Sequence, residues 1–356
     1  MKAARLDRVR KMRGIVYVPS YARGPQDSLG VLFRHDVIRR ELAFIPALGL
    51  NGVRLWLQIS AYEATPDLYL ENLRFFLDWC LELGLDVHLN LFDSVGVDPE
   101  DTEARPITKA EAFRSSLRNR AMKVLFRIGQ TQDLMQVPET NSPLALMAEF
   151  WMAGPGYRHL GDDEWPRCER YVRAIASVVR DHPSVVMLEV MNEPEMATFF
   201  RRADYAPVTR FYKAMLLCIA DAAPDMPTTI GSSSLKRFQQ ADSDTGRQLD
   251  VISFHSFKAS PKGLERDFEK AIQYAAATGD RPVMCSEWGT YPGATDEDQL
   301  RIFRDCLPVV LRSGAGWEVV HLIAGYCNGA MASLLNTNGS MRPAAVQLRK
   351  TMLGVG

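Results

Sequence analysis

The sequence predicts an α/β protein whose strands close into an eight-stranded (β/α)8 TIM barrel. Three observations predict it. Eight short apolar runs alternate with longer amphipathic stretches, the order of a parallel sheet covered by helices. Several helical stretches stop at a glycine (Gly49, Gly84, Gly279, Gly314), the residue that most readily takes the left-handed turn after a helix, and a strand follows within a few residues. Finally, Glu193 and Glu287 each sit where an apolar run ends, and they are 94 positions apart. A βα unit of such a barrel takes roughly 31 residues, so three units fit the gap. That count puts the two glutamates on strands four and seven, facing each other across the mouth. An open parallel sheet shares the period, and period alone does not distinguish the two.

Taken in order, the strands are expected at Gly14–Val18, Gly52–Leu57, Asp86–Leu91, Val185–Met191, Pro227–Ile230, Val251–Phe254, Val283–Ser286 and Trp317–Leu322. Each is a short apolar run, the mark of a strand buried on both faces. Helices are expected at Asp36–Leu48, Tyr69–Leu83, Cys168–Arg180, Val208–Ala222, Leu264–Thr278 and Glu297–Leu311, with a last one, Ala344–Leu353, behind Pro343. The segment from Ser94 to Glu164 breaks the rhythm. Within it Lys109–Ile128 reads as a basic helix, and Ala145–Met152 as a second one ending before Gly154-Pro155-Gly156. A long loop after strand three reads as a lid or subsite wall of one catalytic barrel domain spanning residues 1–356.

The bulk numbers exclude several classes. At 356 residues and 47% apolar composition the chain can bury a large core, and a net charge of −1 gives no reason to expect nucleic acid or an anionic membrane. No run approaches 18 uncharged apolar residues, and the basic start Met1 to Lys11 leads into no secretory core, so no membrane span and a cytoplasmic protein are expected. The six cysteines form no C-x-x-C pair and read as reduced, buried thiols. No G-x-G-x-x-G, Walker or Gly-x-Ser-x-Gly motif is present, and the histidines lack metal-ligand spacing. Neither cofactor nor metal is expected.

Paired carboxylates at a barrel mouth suit glycosidic-bond cleavage, which needs a proton donor for the leaving oxygen and a second carboxylate across the anomeric carbon. About 5 Å between them gives direct attack and retention; about 6.5–9.5 Å admits a water and gives inversion. Sequence spacing does not choose. The competing reading of either glutamate alone is an ordinary ionised residue at a strand end.

Here the residues carry a resemblance. Asp181-His182-Pro183-Ser184-Val185, leading into Leu188-Glu189-Val190-Met191-Asn192-Glu193-Pro194, resembles the strand-four signature of clan A retaining glycoside hydrolases. It is closest to the family five cellulases and mannanases and to the barrel domain of family two β-galactosidases and β-mannosidases. Ser286-Glu287-Trp288-Gly289 is similar to their strand-seven nucleophile motif, Gly52-Val53-Arg54-Leu55-Trp56 to strand two, Leu91-Phe92-Asp93 more loosely to the end of strand three, and Val251-Ile252-Ser253-Phe254-His255 to strand six. The resemblance implies Glu193 as acid/base, with a raised pKa, and Glu287 as ionised nucleophile. It implies that Arg54 holds the nucleophile charged, that Asn192 binds a hydroxyl beside the reacting carbon, and that His255 bonds the acid/base or the substrate. Trp288 is expected to line the site, and Asp93 to bind substrate.

Two departures stand out. Family five enzymes usually carry a tyrosine where this chain has Phe257, so either Tyr291 substitutes or Arg54 holds the nucleophile alone. Strand eight usually ends in a tryptophan that floors the sugar subsite, whereas Val319-Val320-His321-Leu322 stands here and His321 would offer a polar platform. Trp151 and Trp165 could stack on a sugar face or pack the insertion, and Glu189, a charge inside a strand, calls for a buried partner such as an arginine. The leading expectation is a retaining, exo-acting β-glycosidase on small carbohydrates. A metal-dependent sugar isomerase or epimerase and a catalytically silent carbohydrate-binding barrel stand beside it.

Overall fold

The computed structural model describes residues 1–96, 98–99, 151–196, 205–246, 249–290, 294–325 and 333–354. Its strands are β1 Arg13–Tyr17, β2 Gly52–Trp56, β3 Asp86–Asp93, β4 Val185–Asn192, β5 Thr228–Gly231, β6 Ile252–Ser256, β7 Val283–Gly289 and β8 Gly316–Val320. All eight are parallel and lie in the order β5-β4-β3-β2-β1-β8-β7-β6. The two outer members of that order also meet. A bridge joins Ser232 to Phe254, His255 N donates to Ser232 O (2.8 Å), and Asp250 N donates to Thr228 O (3.0 Å), which closes the ring. Every predicted strand is present, with neither end displaced by more than three residues, and closure decides against the open sheet.

Among the described residues the helices are α1 Lys2–Lys11, α2 His35–Leu42, α3 Phe44–Ala47, α4 Ile59–Ala64, α5 Pro66–Glu82, α6 Trp165–Val179, α7 Ala206–Ala222, α8 Leu235–Asp244, α9 Pro261–Ala277, α10 Asp296–Arg312 and α11 Pro343–Leu353. The helix expected over 36–48 is divided into α2 and α3. Pro46 has no N–H to donate to the carbonyl of Leu42, four residues earlier, and the first helix stops there. Gly49, Gly84, Gly279 and Gly314 all have positive φ (81°, 67°, 95° and 71°), as the glycine-stop argument requires. The strongest cap is at α10, where Thr295 and Asp298 form a reciprocal capping box.

Three helices were not expected: α1, α4 and α8. Helix α1 buries only Arg5 and Val9, four positions apart, so its apolar stripe is too thin to show as a period. It covers the N-terminal end of the barrel. Arg5 donates to the carbonyls of Val185 (3.1 Å) and Arg180 (2.6 Å), while Val9 and Met12 pack with Met187 and Met284. Cys80, Cys168, Cys218, Cys285 and Cys306 are free and buried, as expected; Cys327 lies outside the described residues. The helix expected at 109–128 also lies outside them, as does most of 145–152; its last two residues, Trp151 and Met152, are not helical. No described helix is long and apolar enough to cross a membrane.

Candidate active site

The strands deliver their functional side chains at one end of the barrel. Asn192 is the last residue of β4 and Glu193 the next; Asp93 ends β3, His255 and Glu287 lie near the ends of β6 and β7, and His321 follows β8. Parallel register sets them side by side, Asp93 opposite Asn192 and His255 opposite Glu287. Glu193 has φ 42°, a left-handed conformation that costs an ordinary residue about 1–2 kcal/mol. Its amide donates to Gly231 O (2.6 Å), its carbonyl accepts from the Ser94 hydroxyl, and Pro194 after it disfavours the right-handed alternative. This departure from strand geometry turns Glu193 inward immediately after β4.

Arg54 organises the centre. Fully buried on β2, it donates from Nη1 to Glu287 Oε1 (2.6 Å), from Nη2 to Glu189 Oε1 (2.6 Å) and Asn192 Oδ1 (2.7 Å), and from Nε to Glu189 Oε2 (3.2 Å). A guanidinium only donates, so the Asn192 amide must turn its oxygen toward Arg54 and its nitrogen toward Asp93 Oδ1 (3.1 Å). Glu189 thus has the arginine partner that its burial demanded. Burial opposes its charge, but Arg54 and His88 hold its pKa down to about 2.

Burial pushes both expected catalytic carboxylates in the same direction. Burial raises the Glu193 pKa to about 7, with Arg54 opposing and Glu189 adding to the rise. Burial also raises Glu287, against the pull of His255 and Arg54. Between the two stands His255, its Nδ1 2.7 Å from Glu193 Oε1 and 3.6 Å from Glu287 Oε2. One donor atom from each of Glu193, His255 and Glu287 lies within 4.8 Å of the others. Burial lowers the His255 pKa, so the ring is neutral at neutral pH.

The rim is built from β3 and the far end of the insertion. Trp151 Nε1 donates to Asp93 Oδ2 (2.6 Å), and the backbones of Asp93 and Gly154 exchange two hydrogen bonds (2.8 and 2.9 Å). Burial lifts the Asp93 pKa to about 7 against the Val95 N–H, Asn192 and Trp151 donors to its carboxylate. Trp151 is buried edge-on against Trp56, with ring centroids 5.0 Å apart. His321 lies 5.8 Å from the Trp56 ring, and burial, helped by Arg54, lowers its pKa to about 3. His321 is therefore a neutral polar group at the end of β8, where the sequence resemblance implies an indole.

Trp288 does not line the site. Side chains alternate along a strand, so the residue after Glu287 turns to the helix layer, where Trp288 packs on Phe303 of α10 (5.0 Å) and Trp317 of β8 (5.9 Å). Trp165 packs against the core and donates to Leu160 O (3.2 Å). Phe257 packs on the apolar cluster of Val16, Val18, Trp56, Trp151 and Val320 beside the mouth, and Tyr291 lies outside the described residues. Two residues not singled out from the sequence belong to the centre, His88 and Glu318. Their signal was a charged residue in the middle of an apolar strand run, Val87-His88-Leu89 and Trp317-Glu318-Val319, the same signal that marked Glu189.

A closed parallel barrel with two carboxylates and a buried arginine at its strand ends defines an enzyme scaffold of the glycoside-hydrolase kind. Residues 39–307 match the family model Cellulase (glycosyl hydrolase family 5), and the chain belongs to that family. Solved structures share the fold. The exo-β-1,4-mannosidase Op5Man5 from Opitutaceae bacterium strain TAV5 superposes with TM-score 0.63 at 16% identity over 96% of this chain and 59% of that one. The hyperthermostable endo-1,4-β-D-mannanase of Thermotoga petrophila RKU-1 gives 0.55 at 14% identity, covering 96% and 99%. A Bacteroides uniformis β-glucuronidase gives 0.58 at 13%, covering 96% of this chain but 35% of that one. The chain thus spans about three fifths of the mannosidase and about one third of the glucuronidase. No curated protein matches it.

Proposed function

We propose that the protein is a retaining β-glycoside hydrolase in which Glu193 is the acid/base and Glu287 the nucleophile. The observation that carries the reading is the closeness of the two carboxylates, with one oxygen of each within 4.8 Å. Retaining enzymes hold them about 5–5.5 Å apart, whereas an intervening water needs about 6.5 Å or more. Glu193, with a pKa near 7, keeps its proton at mildly acidic pH and gives it to the leaving oxygen. Arg54 occupies Glu287 Oε1, which leaves Oε2 as the less encumbered oxygen to attack the anomeric carbon. The leaving group departs with the proton from Glu193, and the ionised Glu193 then takes a proton from the water that releases the sugar from Glu287. Neutral His255 keeps Glu193 directed into the site through Nδ1.

Exo-action on small β-linked carbohydrates is the finer part of the proposal. The segment 151–154, at the end of the insertion, is tied to β3 through Asp93 and to Gln58, whose Nε2 donates to Met152 O (2.8 Å). It stands as a wall beside Asn192. The fold is shared with a structure named an exo-β-1,4-mannosidase, which makes β-mannosides the first sugars to try. The metal-isomerase alternative would use the same Glu193, His255 and Glu287 donors. Each already has a partner of another kind: His255 Nδ1 bonds Glu193, and the fixed cation Arg54 sits on Glu287.

The test is a panel of aryl β-glycosides assayed with the wild type, Glu193→Ala and Glu287→Ala, with chelator present in a parallel series. Loss of turnover in both variants, chelator resistance, and azide rescue of Glu287→Ala with inverted product are expected. Undiminished turnover in both variants overturns the proposal. Tight sugar binding by the wild type without turnover would instead favour the silent binding barrel.

A further inference from the structure

The interior of a (β/α)8 barrel is usually filled by layers of branched apolar side chains. Here its middle carries a line of charged groups that runs across the barrel. Glu318 of β8 meets His88 of β3, with Nδ1 2.9 and 3.2 Å from the two carboxylate oxygens; these strands are not neighbours, so the contact crosses the interior. The other ring nitrogen, Nε2, lies 3.1 Å from Glu189 Oε2, an ionic contact without hydrogen-bond alignment. Glu189 bonds Arg54, and Arg54 bonds Glu287. Glu318, His88, Glu189 and Arg54 are all fully buried. Two glycines leave room for the line. A Cβ on Gly14 would stand 2.9 Å from Glu318 Cγ, and one on Gly231 would collide with the Glu189 carboxylate.

We propose that His88 is a positioning residue for the nucleophile: clamped by Glu318, it stays an imidazolium that balances Glu189, so that Arg54 is left to hold Glu287 ionised. The proposal rests on the reading of Glu287 as nucleophile. The order Glu318, His88, Glu189, Arg54, Glu287 then alternates in sign along its whole length. Without the His88 charge, Arg54 alone would face two carboxylates, Glu189 and Glu287. The charged groups on the surrounding elements are Arg54 of β2, Asp86 of β3 with its partner Arg8 of α1, Glu189 of β4, Glu287 of β7 and Glu318 of β8. Burial opposes charge on His88, but Glu318 and Glu189 more than offset it and raise its pKa.

Two measurements test this. Ring 15N NMR of the wild type should show His88 doubly protonated at pH 7; a neutral ring overturns the proposal without any reference to activity. In His88→Gln the acidic limb of the kcat/KM profile should move up by about one pH unit, as expected for deleting a unit charge two contacts away in a medium of effective dielectric about 20. That lowers kcat/KM on the acidic limb by about tenfold. A folded His88→Gln enzyme with an unmoved acidic limb overturns the proposal. Should His88→Gln not fold, Glu287→Gln replaces it. Coupling is reciprocal, so neutralising Glu287 must lower the His88 titration midpoint, and an equal midpoint overturns the proposal. Failure of the underlying reading looks different, as Glu287→Ala would then turn over like the wild type.

Discussion

Arg54 Nη1 lies 2.6 Å from Glu287 Oε1, joining β2 to β7 across the barrel, and the same guanidinium binds Glu189 and Asn192. One buried cation therefore fixes the expected nucleophile, the amide beside the acid/base and the carboxylate beneath both.

Arg54→Met leaves Glu189 and Glu287 as buried charges without their common partner. Breaking a buried pair in this way costs about 3–5 kcal/mol. Urea unfolding should show a loss of that order, together with loss of turnover. Arg54→Lys keeps the charge but not the fork, and should recover stability better than activity.

Glu193 must be protonated to act as the acid, and its pKa is about 7. kcat/KM should therefore fall as pH rises through about 7, while the acidic limb follows the ionisation of Glu287. With an activated leaving group that needs no protonation, Glu193→Gln should keep glycosylation and lose the alkaline limb. An alkaline limb that persists in this variant would assign it to another group.

The same shift governs stability. The folded state holds a proton on Glu193 that the unfolded chain releases near the ordinary glutamate value of 4.5, so stability from this group is lost as pH rises from about 4.5 through about 7. Glu193→Gln removes the cost of charging this half-buried carboxyl. It should raise the melting temperature at pH 8 relative to wild type, and the gain should disappear near pH 4.

Trp151→Phe removes the donor to Asp93 Oδ2 and leaves the ring packing on Trp56. A lost hydrogen bond to a buried carboxylate costs about 1–3 kcal/mol. On the proposal that segment 151–154 walls one side of the cleft, KM should rise more than kcat falls, measured on a disaccharide rather than an aryl glycoside.

Gly231→Ala places a methyl against the Glu189 carboxylate. The variant should be destabilised by about 1–3 kcal/mol through overpacking, and its turnover should fall as Glu189 and Arg54 shift together.

Much of the barrel was legible because its signals are local. Each strand is a short apolar run, each helix has its own period, and glycines mark the stops. The 94-position gap needed only the length of a βα unit to place Glu193 and Glu287 on strands four and seven. Helix α1 was illegible because only Arg5 and Val9 are buried on it, and the break at Ala43 became clear only with Pro46 set against the carbonyl of Leu42. Trp288 shows the opposite fault. Adjacency to Glu287 suggested the site, but adjacent strand residues face opposite sides.

The sequence by itself determined the fold class, the chain positions of the two carboxylates and the residue types at the mouth, since those depend on period, spacing and motif. Tertiary structure alone decided which charges meet. Arg54 and Glu287 are 233 positions apart and His88 and Glu318 are 230 apart, and no local rule ranks such pairs. Closure of the barrel brings β2 within reach of β7 and β3 within reach of β8. In the low-dielectric interior burial pushes the Glu193 and Glu287 pKa values up, and the buried Arg54, rather than any surface charge, opposes that rise.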